Sequence, residues 1–286
     1  MNPIQIQGLA FSLIAILFAL SSLFLGAIDP YFSLLLVASS IFFLGVPHGA
    51  LDPIFAQKLL GIGGWKAWSQ FVFVYLALAI TVIGIWWQFP LFFMASFLIL
   101  SMMHFSRDLS ISTPKITRLL YGGSMIVLPT LFHFTQMQQL FALILGVSGG
   151  LELAGFLHFI AWPWAALTIV AIGFESRLRW RTALEISAVC SLATLAQPLI
   201  AFTVYFCAMH SLRHILRTKQ YAQMRFAQLF FVALAPMLGV ALMAILAWIY
   251  LPQTANVERI LRFVFVALAA LTVPHMILID RVHYQN

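Results

Sequence analysis

Long stretches without a charged residue constrain the fold of this chain more than any other feature. Five of them cover residues 67–106, 119–151, 153–174, 186–212 and 226–257. Each exceeds the length of about 20 residues that a helix needs to span the hydrocarbon core of a bilayer. The sequence therefore predicts an all-α fold, a polytopic transmembrane helical bundle.

The composition excludes a soluble globular enzyme. Hydrophobic residues make up 63% of the chain and charged residues 8%, whereas soluble domains have about 45–50% and 25%. The net charge of +7 does not indicate a nucleic-acid partner, because the basic residues form short clusters between apolar stretches, at 107–118, 177–181 and 213–225. Such clusters are typical of cytoplasmic loops in a multi-pass protein of the cell membrane. Cys190 and Cys207 lie in apolar segments and are predicted to be buried free thiols.

Hydropathy predicts one integral membrane domain over residues 1–286 with about ten spans. These are residues 8–27, 31–47, 69–87, 90–106, 119–134, 155–174, 182–197, 198–212, 227–250 and 260–278. Residues 135–146 are polar at their start and are predicted to lie in the interface. Residues 182–212 are too long for one span, and Pro198 favours a break. Two passes there place the basic loops on one side, with both termini cytoplasmic, whereas one pass would separate the most basic loop from the others.

Eight histidines are unusual in so apolar a chain. Ionisable groups at membrane depth are costly and usually functional, although a lone histidine near a helix end can simply satisfy a hydrogen bond. The ten-span topology places His133 and His158 toward one leaflet and His283 in the tail. Five others fall toward the cytoplasmic leaflet: His48, His104, His210, His214 and His275.

The spacing of His210 and His214 is compatible with metal binding. Residues at positions i and i+4 lie on the same face of a helix, one turn apart, which suits two ligands of one metal ion. Imidazole binds Zn, Cu, Fe and Ni, so the ligand type alone does not choose the metal.

Two other histidines are each followed four residues later by an aspartate. Asp52 follows His48, and Asp108 follows His104. On a continuous helix each carboxylate could accept the second N–H of its histidine, as carboxylates that support metal ligands do. The alternative is that both aspartates cap helices or form ion pairs at the interface.

Four short segments carry a family resemblance. They are residues 47–52 (PHGALD), 104–108 (HFSRD), 205–206 (YF) with 210–214 (HSLRH), and 274–276 (PHM). Their order and spacing, from about residue 42 to residue 278, resemble the Brp/Blh family of membrane β-carotene 15,15′-dioxygenases. The sequence departs from that family at Ser106, where glycine is common, and at Met209, where tryptophan is common.

The resemblance implies an enzyme that uses Fe(II) and O2 to cleave all-trans-β-carotene at its central double bond into two molecules of retinal. A rhodopsin could then receive the retinal. The iron ligands that the resemblance implies are His48, His104, His210 and His214. We expect Asp52 and Asp108 to support these ligands, and His275 to contribute to the pocket.

The residues alone leave two other functions open. Intramembrane histidine and aspartate could relay protons or bind a transported ion in a transporter or channel, and a break at Pro198 resembles the discontinuous helices of transporters. However, no inverted repeat is visible. A membrane di-iron desaturase or hydroxylase would need about twice as many ligands as the implied mononuclear site. An opsin is excluded, because no lysine lies inside a span to bind retinal.

Single replacement of an implied ligand by alanine is expected to abolish cleavage and to reduce bound iron, because each replacement removes one bond to a shared metal. His133→Ala and His158→Ala should retain substantial activity, since both histidines are predicted on the other side of the bilayer. Turnover and iron content of the purified variants check this. Iron loss in His158→Ala, or full activity in His214→Ala, would show that the topology or the ligand set is wrong.

Overall fold

The computed structural model describes residues 1–24, 30–250 and 256–282. These residues form helices and connecting turns, with no strand among them. The all-α fold predicted from the sequence is therefore confirmed. His283 and residues 25–27 of the first predicted span lie outside the described residues.

Thirteen α-helices follow one another along the described part of the chain. They are α1 (Pro3–Ser22), α2 (Pro30–Ser40), α3 (Asp52–Leu60), α4 (Gly64–Gln88), α5 (Pro90–Phe105), α6 (Lys115–Val127), α7 (Pro129–Phe132), α8 (Phe134–Leu178), α9 (Trp180–Leu195), α10 (Pro198–Val204), α11 (Leu212–Ala222), α12 (Phe226–Tyr250) and α13 (Asn256–Ile279). Four short turns of other helix types interrupt them: a π turn at Ile41–Gly45, 3₁₀ turns at Val46–Leu51 and Ser106–Asp108, and a second π turn at Tyr205–Ser211.

Helices occur at each of the ten predicted spans, and eight helical stretches are long and apolar enough to cross a bilayer. The other two predicted spans contain shorter helices, α6 with 13 residues and α9 with 16 residues. The predicted break in residues 182–212 is confirmed, because Ala196 has extended backbone between α9 and α10. Pro198 follows as the first residue of α10. The number of crossings stays a prediction.

Residues 135–146, predicted to lie in the interface, form the first part of α8. Met137 and Phe141 from this part are buried in a hydrophobic core that also contains residues from the second part of the helix. Gly146 separates the two parts with φ 79° and ψ 169°, a conformation that only glycine adopts readily. The segment is thus a helix that packs against the bundle.

Helix α9 is short but lies in the main hydrophobic core. Ile186, Val189 and Leu192 from α9 are fully buried. Helix α1 packs along α9 and contributes Ala15 and Ala19, which are also fully buried. Small side chains let helix backbones approach closely, and close packing is one of the forces that hold helices together in a membrane.

Gly122 of α6 lies against the backbone at the end of α5. A Cβ atom there would lie 2.3 Å from the Met102 carbonyl oxygen and 2.6 Å from the Ser106 nitrogen. We expect Gly122→Ala to destabilise the protein by about 1–3 kcal/mol, the usual cost of overpacking. It should also displace the turn that carries Asp108. Gly155→Ala is a matched control, because no atom lies within 4 Å of the added methyl group. Thermal unfolding midpoints in detergent check this, and equal midpoints would contradict it.

Candidate metal centre

Five histidines from distant parts of the chain meet in one buried cluster, hereafter the histidine cluster. Its members are His48, His104, His210, His214 and His275. Each is at most 8% exposed, and the contacting rings have centroids between 4.6 and 6.5 Å apart. The structure therefore brings together the four histidines that the resemblance implies as ligands. It also places His275 among them, whereas the sequence assigns this residue only to the pocket.

Two changes of helix type position His48. The π turn Ile41–Gly45 widens the helix, and the following 3₁₀ turn, which has Pro47 near its start, tightens it. His48 Nδ1 donates a hydrogen bond to the Gly45 carbonyl oxygen at 2.5 Å. Because a carbonyl oxygen can only accept, Nδ1 carries the hydrogen, and Nε2 of a neutral His48 keeps its lone pair.

The two π turns contact each other directly. Ser211 lies at the end of the second one, Tyr205–Ser211, which also carries His210. Its hydroxyl group donates to the Leu44 carbonyl oxygen at 2.5 Å. This hydrogen bond holds the turn before His48 against the turn that carries His210.

Asp108 holds His210. The Nδ1 atom of His210 lies 3.1 Å from both carboxylate oxygens of Asp108. The Tyr205 hydroxyl donates to the same carboxylate at 2.8 Å. Asp108 is 4% exposed, so this chain of tyrosine, aspartate and histidine is protected from water.

Asp52 holds His275 in the same manner. The Nδ1 atom of His275 donates to Oδ1 of Asp52 at 2.6 Å. The Tyr75 hydroxyl donates to Oδ2 at 2.8 Å. Both aspartates therefore bind histidines of the cluster, but Asp52 binds His275 and not one of the four implied ligands.

The pairing predicted from the spacing, Asp52 with His48 and Asp108 with His104, is wrong. That prediction assumed a continuous α-helix, in which residues four apart share a face. Both segments contain a 3₁₀ turn, in which residues three apart are eclipsed, so residues four apart no longer share a face. Each aspartate bonds instead to a histidine 102 or 223 residues away in the sequence.

The histidine cluster contains buried nitrogen atoms that lack hydrogen-bond partners. Among the described residues, these include Nε2 of His210, Nε2 of His275 and both ring nitrogens of His104. Such atoms are costly unless something binds them. One ring nitrogen each from His48, His104 and His275 lies within 4.8 Å of the other two. Since Nδ1 of His210 and His275 already donates, Nε2 has the lone pair with which imidazole binds a metal. The donor set fits a transition metal that prefers nitrogen ligands.

Two arginines hold the backbone at Asp108. Arg213 and Arg217 donate to the Asp108 carbonyl oxygen at 2.9 and 3.0 Å. Arg213 is 2% exposed and is paired with Glu185 through two hydrogen bonds of 2.8 Å. A buried charge needs such a partner. Arg213 thus positions the Asp108 backbone, while Glu185 balances the charge of Arg213.

His133 and His158 lie apart from the histidine cluster. Nε2 of His133 lies 3.1 Å from the Thr194 carbonyl oxygen. Nδ1 of His158 lies 2.8 Å from the Thr130 carbonyl oxygen. Each nitrogen donates to its carbonyl, which is the ordinary structural role of an isolated histidine.

An apolar pocket of about 90 Å³ is connected to the histidine cluster through Phe105, which lines the pocket and contacts His210. Residues that line it include Met94, Phe97, Phe105, Met125, Phe141 and Phe202. Phe105 contacts the His210 ring at a centroid distance of 4.9 Å. Phe202 stacks on Phe206 at 5.4 Å, and Phe206 stacks on His210 at 5.7 Å. This aromatic stack leads from the pocket to the cluster.

Most of the chain is similar to known proteins. The family model described as beta-carotene 15,15′-dioxygenase matches residues 39–283. The chain belongs to the β-carotene 15,15′-dioxygenase family. A beta-carotene 15,15′-dioxygenase from uncultured marine bacterium 66A03 is 30% identical over 249 residues, which cover 84% of this chain and 90% of that protein. No solved structure shows significant similarity to this chain.

The match to the β-carotene 15,15′-dioxygenase family covers the whole histidine cluster and both supporting aspartates. The resemblance inferred from four short segments is therefore confirmed over most of the chain. The matched region begins after α1. Gln7 of that helix, which accepts a hydrogen bond from Arg213 at 2.8 Å, thus supports the site from outside the matched region.

The sequence analysis missed Tyr75, and it named Phe206 only as part of the family resemblance, with no role in the site. The signal for Tyr75 is its hydroxyl group within the uncharged residues 67–106, since a buried hydroxyl normally finds a partner. Phe206 lies four residues before His210, the spacing at which side chains on one helix face meet. Neither feature predicts which residue the side chain contacts, because buried hydroxyl groups and i, i+4 spacings are both common in apolar helices.

Asp108→Asn is expected to lower metal affinity or turnover about 10–100-fold, the usual effect of losing a group that orients a ligand, while the fold is retained. Tyr205→Phe should have a smaller effect, because only one hydrogen bond to the carboxylate is lost. Asp280→Asn is a matched control, since Asp280 pairs with the half-exposed Arg107. Metal analysis and turnover check this. Values for Asp108→Asn equal to those of the control would assign Asp108 a purely structural role.

Proposed function

We propose that this protein is a β-carotene 15,15′-dioxygenase that uses Fe(II) and O2 to cleave all-trans-β-carotene at its central double bond. Family membership and the name of the similar marine bacterial protein support this substrate. The observation that carries the proposal is that Phe105 lines an apolar pocket and also contacts His210 of the buried histidine cluster. The reaction is balanced, because β-carotene and one O2 molecule contain the atoms of two retinal molecules.

The histidine cluster supports iron as the metal. Imidazole is a common ligand of iron, and the ligand set implied by the family, His48, His104, His210 and His214, lies within the cluster. When bound there, Fe(II) would supply the capacity to bind and activate dioxygen. The chain itself keeps ligand nitrogens available, since the Gly45 carbonyl and the Asp108 carboxylate each accept an Nδ1 hydrogen.

The apolar lining of the pocket suits a hydrocarbon polyene. β-Carotene has no hydrogen-bonding group, so its binding depends on the apolar area that it buries. A pocket between membrane helices could receive it from the bilayer without a passage through water. Phe202 and Phe206 would contact the polyene beside His210, because aromatic faces stack favourably on extended π systems.

Two aromatic residues, Phe105 and Phe206, would keep water from the reacting double bond. Phe105 and Phe206 are each 5% exposed, and both contact histidines of the cluster. A dry, apolar environment suppresses side reactions of an oxidised polyene. We assign these two side chains to the shielding of the site.

The proposed site of action is the cell membrane, which eight long apolar helices support. Retinal released into the bilayer could pass to a retinal-binding protein such as a rhodopsin.

A transporter is less well supported, because the chain belongs to a family named for an oxygenase reaction. A di-iron enzyme is also less well supported, because five histidines are about half the nitrogen ligands that such a centre would need.

Expression in bacteria that accumulate β-carotene tests the proposed activity. We expect the cells to lose their colour under aeration and to contain retinal, measured by chromatography, and to keep their colour without oxygen. Cells expressing folded His104→Ala protein should retain β-carotene. Intact β-carotene in the presence of folded, iron-loaded wild-type protein would overturn the proposal, and a shorter or longer aldehyde would assign cleavage to another bond.

A further inference from the structure

His275 and His210 are held by matching sets of groups. In each set a tyrosine hydroxyl and a histidine Nδ1 bind the same buried carboxylate. Tyr75, Asp52 and His275 form one set. The second set is Tyr205, Asp108 and His210. The first set has the shorter contact between histidine and aspartate, 2.6 Å against 3.1 Å.

His275 lies inside the cluster and not at its edge. Its ring centroid is 5.2 Å from those of His48 and His104 and 5.3 Å from that of His214. One of its ring nitrogens lies within 4.8 Å of ring nitrogens from His48 and His104. A residue that only lined the pocket would not need to approach these histidines so closely.

The chemistry of the His275 ring fits metal binding. Nδ1 donates to Asp52, so Nε2 of the neutral ring is an acceptor. Nε2 is buried and has no hydrogen-bond partner among the described residues. In metal sites a carboxylate fixes the tautomer of a ligand histidine in this way.

The surrounding helices fix the position of His275. Helix α13 contains Pro274 immediately before His275, so one backbone donor of the helix is missing there. Helix α4 packs along α13, and its Tyr75 reaches both Asp52 and the carbonyl of Leu271, at 2.8 and 3.5 Å. The ring is therefore held by contacts from α3, α4 and its own helix.

We propose that His275 is a fifth metal ligand of the centre, beyond the four histidines implied by the family, and that Asp52 and Tyr75 hold it in the metal-binding tautomer. This inference rests on the proposed function, because it assumes that the cluster holds a metal ion. It assigns to the Tyr75–Asp52 pair the same positioning role that Tyr205 and Asp108 have toward His210.

Reconstitution of the full-length protein in detergent with Co(II) tests the inference without turnover. The variants are His275→Ala, Asp52→Asn and Tyr75→Phe, and His158→Ala is the matched control outside the cluster. Asp52→Asn changes almost no volume, but its amide can donate to Nδ1 and leave the hydrogen on Nε2, where it blocks metal binding. The measurements are Co(II) affinity, metal content per chain and the Co(II) absorption bands, which respond to the number and geometry of ligands.

We expect Asp52→Asn to weaken Co(II) binding about 10–100-fold. His275→Ala should weaken it at least as much, and Tyr75→Phe should weaken it less. Both Asp52→Asn and His275→Ala should change the absorption bands, whereas His158→Ala should match the wild type. Such a graded series would support a ligand whose tautomer is fixed by its partners.

Wild-type affinity and absorption in His275→Ala and Asp52→Asn would overturn the inference and return His275 to the pocket wall, even if β-carotene cleavage were lost. If His275→Ala does not fold, the two near-isosteric variants, Asp52→Asn and Tyr75→Phe, decide the question. Failure of the wild type itself to bind Co(II) or iron would overturn the proposed metal centre as well, which distinguishes that outcome from the failure of this inference alone.

Discussion

Asp108 is the group on which the arrangement of the site depends most. Its carboxylate accepts hydrogen bonds from His210 and Tyr205, and its carbonyl oxygen accepts from Arg213 and Arg217. All four donors lie in the second π turn and α11, so a single residue in the 3₁₀ turn after α5 fixes this whole segment. Loss of the carboxylate would leave buried donors without an acceptor, which is costly in an apolar interior.

Acidic residues are scarce in this chain, and those near the site are paired with specific side chains. The chain has eight aspartate and glutamate residues in all, and Asp52, Asp108 and Glu185 each bind a side chain in or next to the histidine cluster. Because unpaired polar groups are expensive at membrane depth, each has a definite partner. The histidine nitrogens without partners stand out against this background, and they are the atoms that a metal would bind.

Departures from regular α-helix occur where the histidines must converge. The irregular turns lie at residues 41–51, 106–108 and 205–211. Each changes the direction of the side chains that follow, and such changes of helix type are frequent at functional sites. Long regular helices elsewhere build the scaffold and the apolar pocket, so the aromatic stack of Phe202 and Phe206 can join the pocket to the cluster.

The sequence by itself determined the helical class, the break before Pro198 and the separation of His133 and His158 from the other described histidines. These features depend on local hydrophobicity and on chain order, which can be read along the sequence. The tertiary structure alone decided that Asp52 binds His275, that Tyr75 completes this pair and that His275 belongs to the cluster. Those contacts join distant segments, and the 3₁₀ and π turns change the local periodicity on which helical spacing arguments depend.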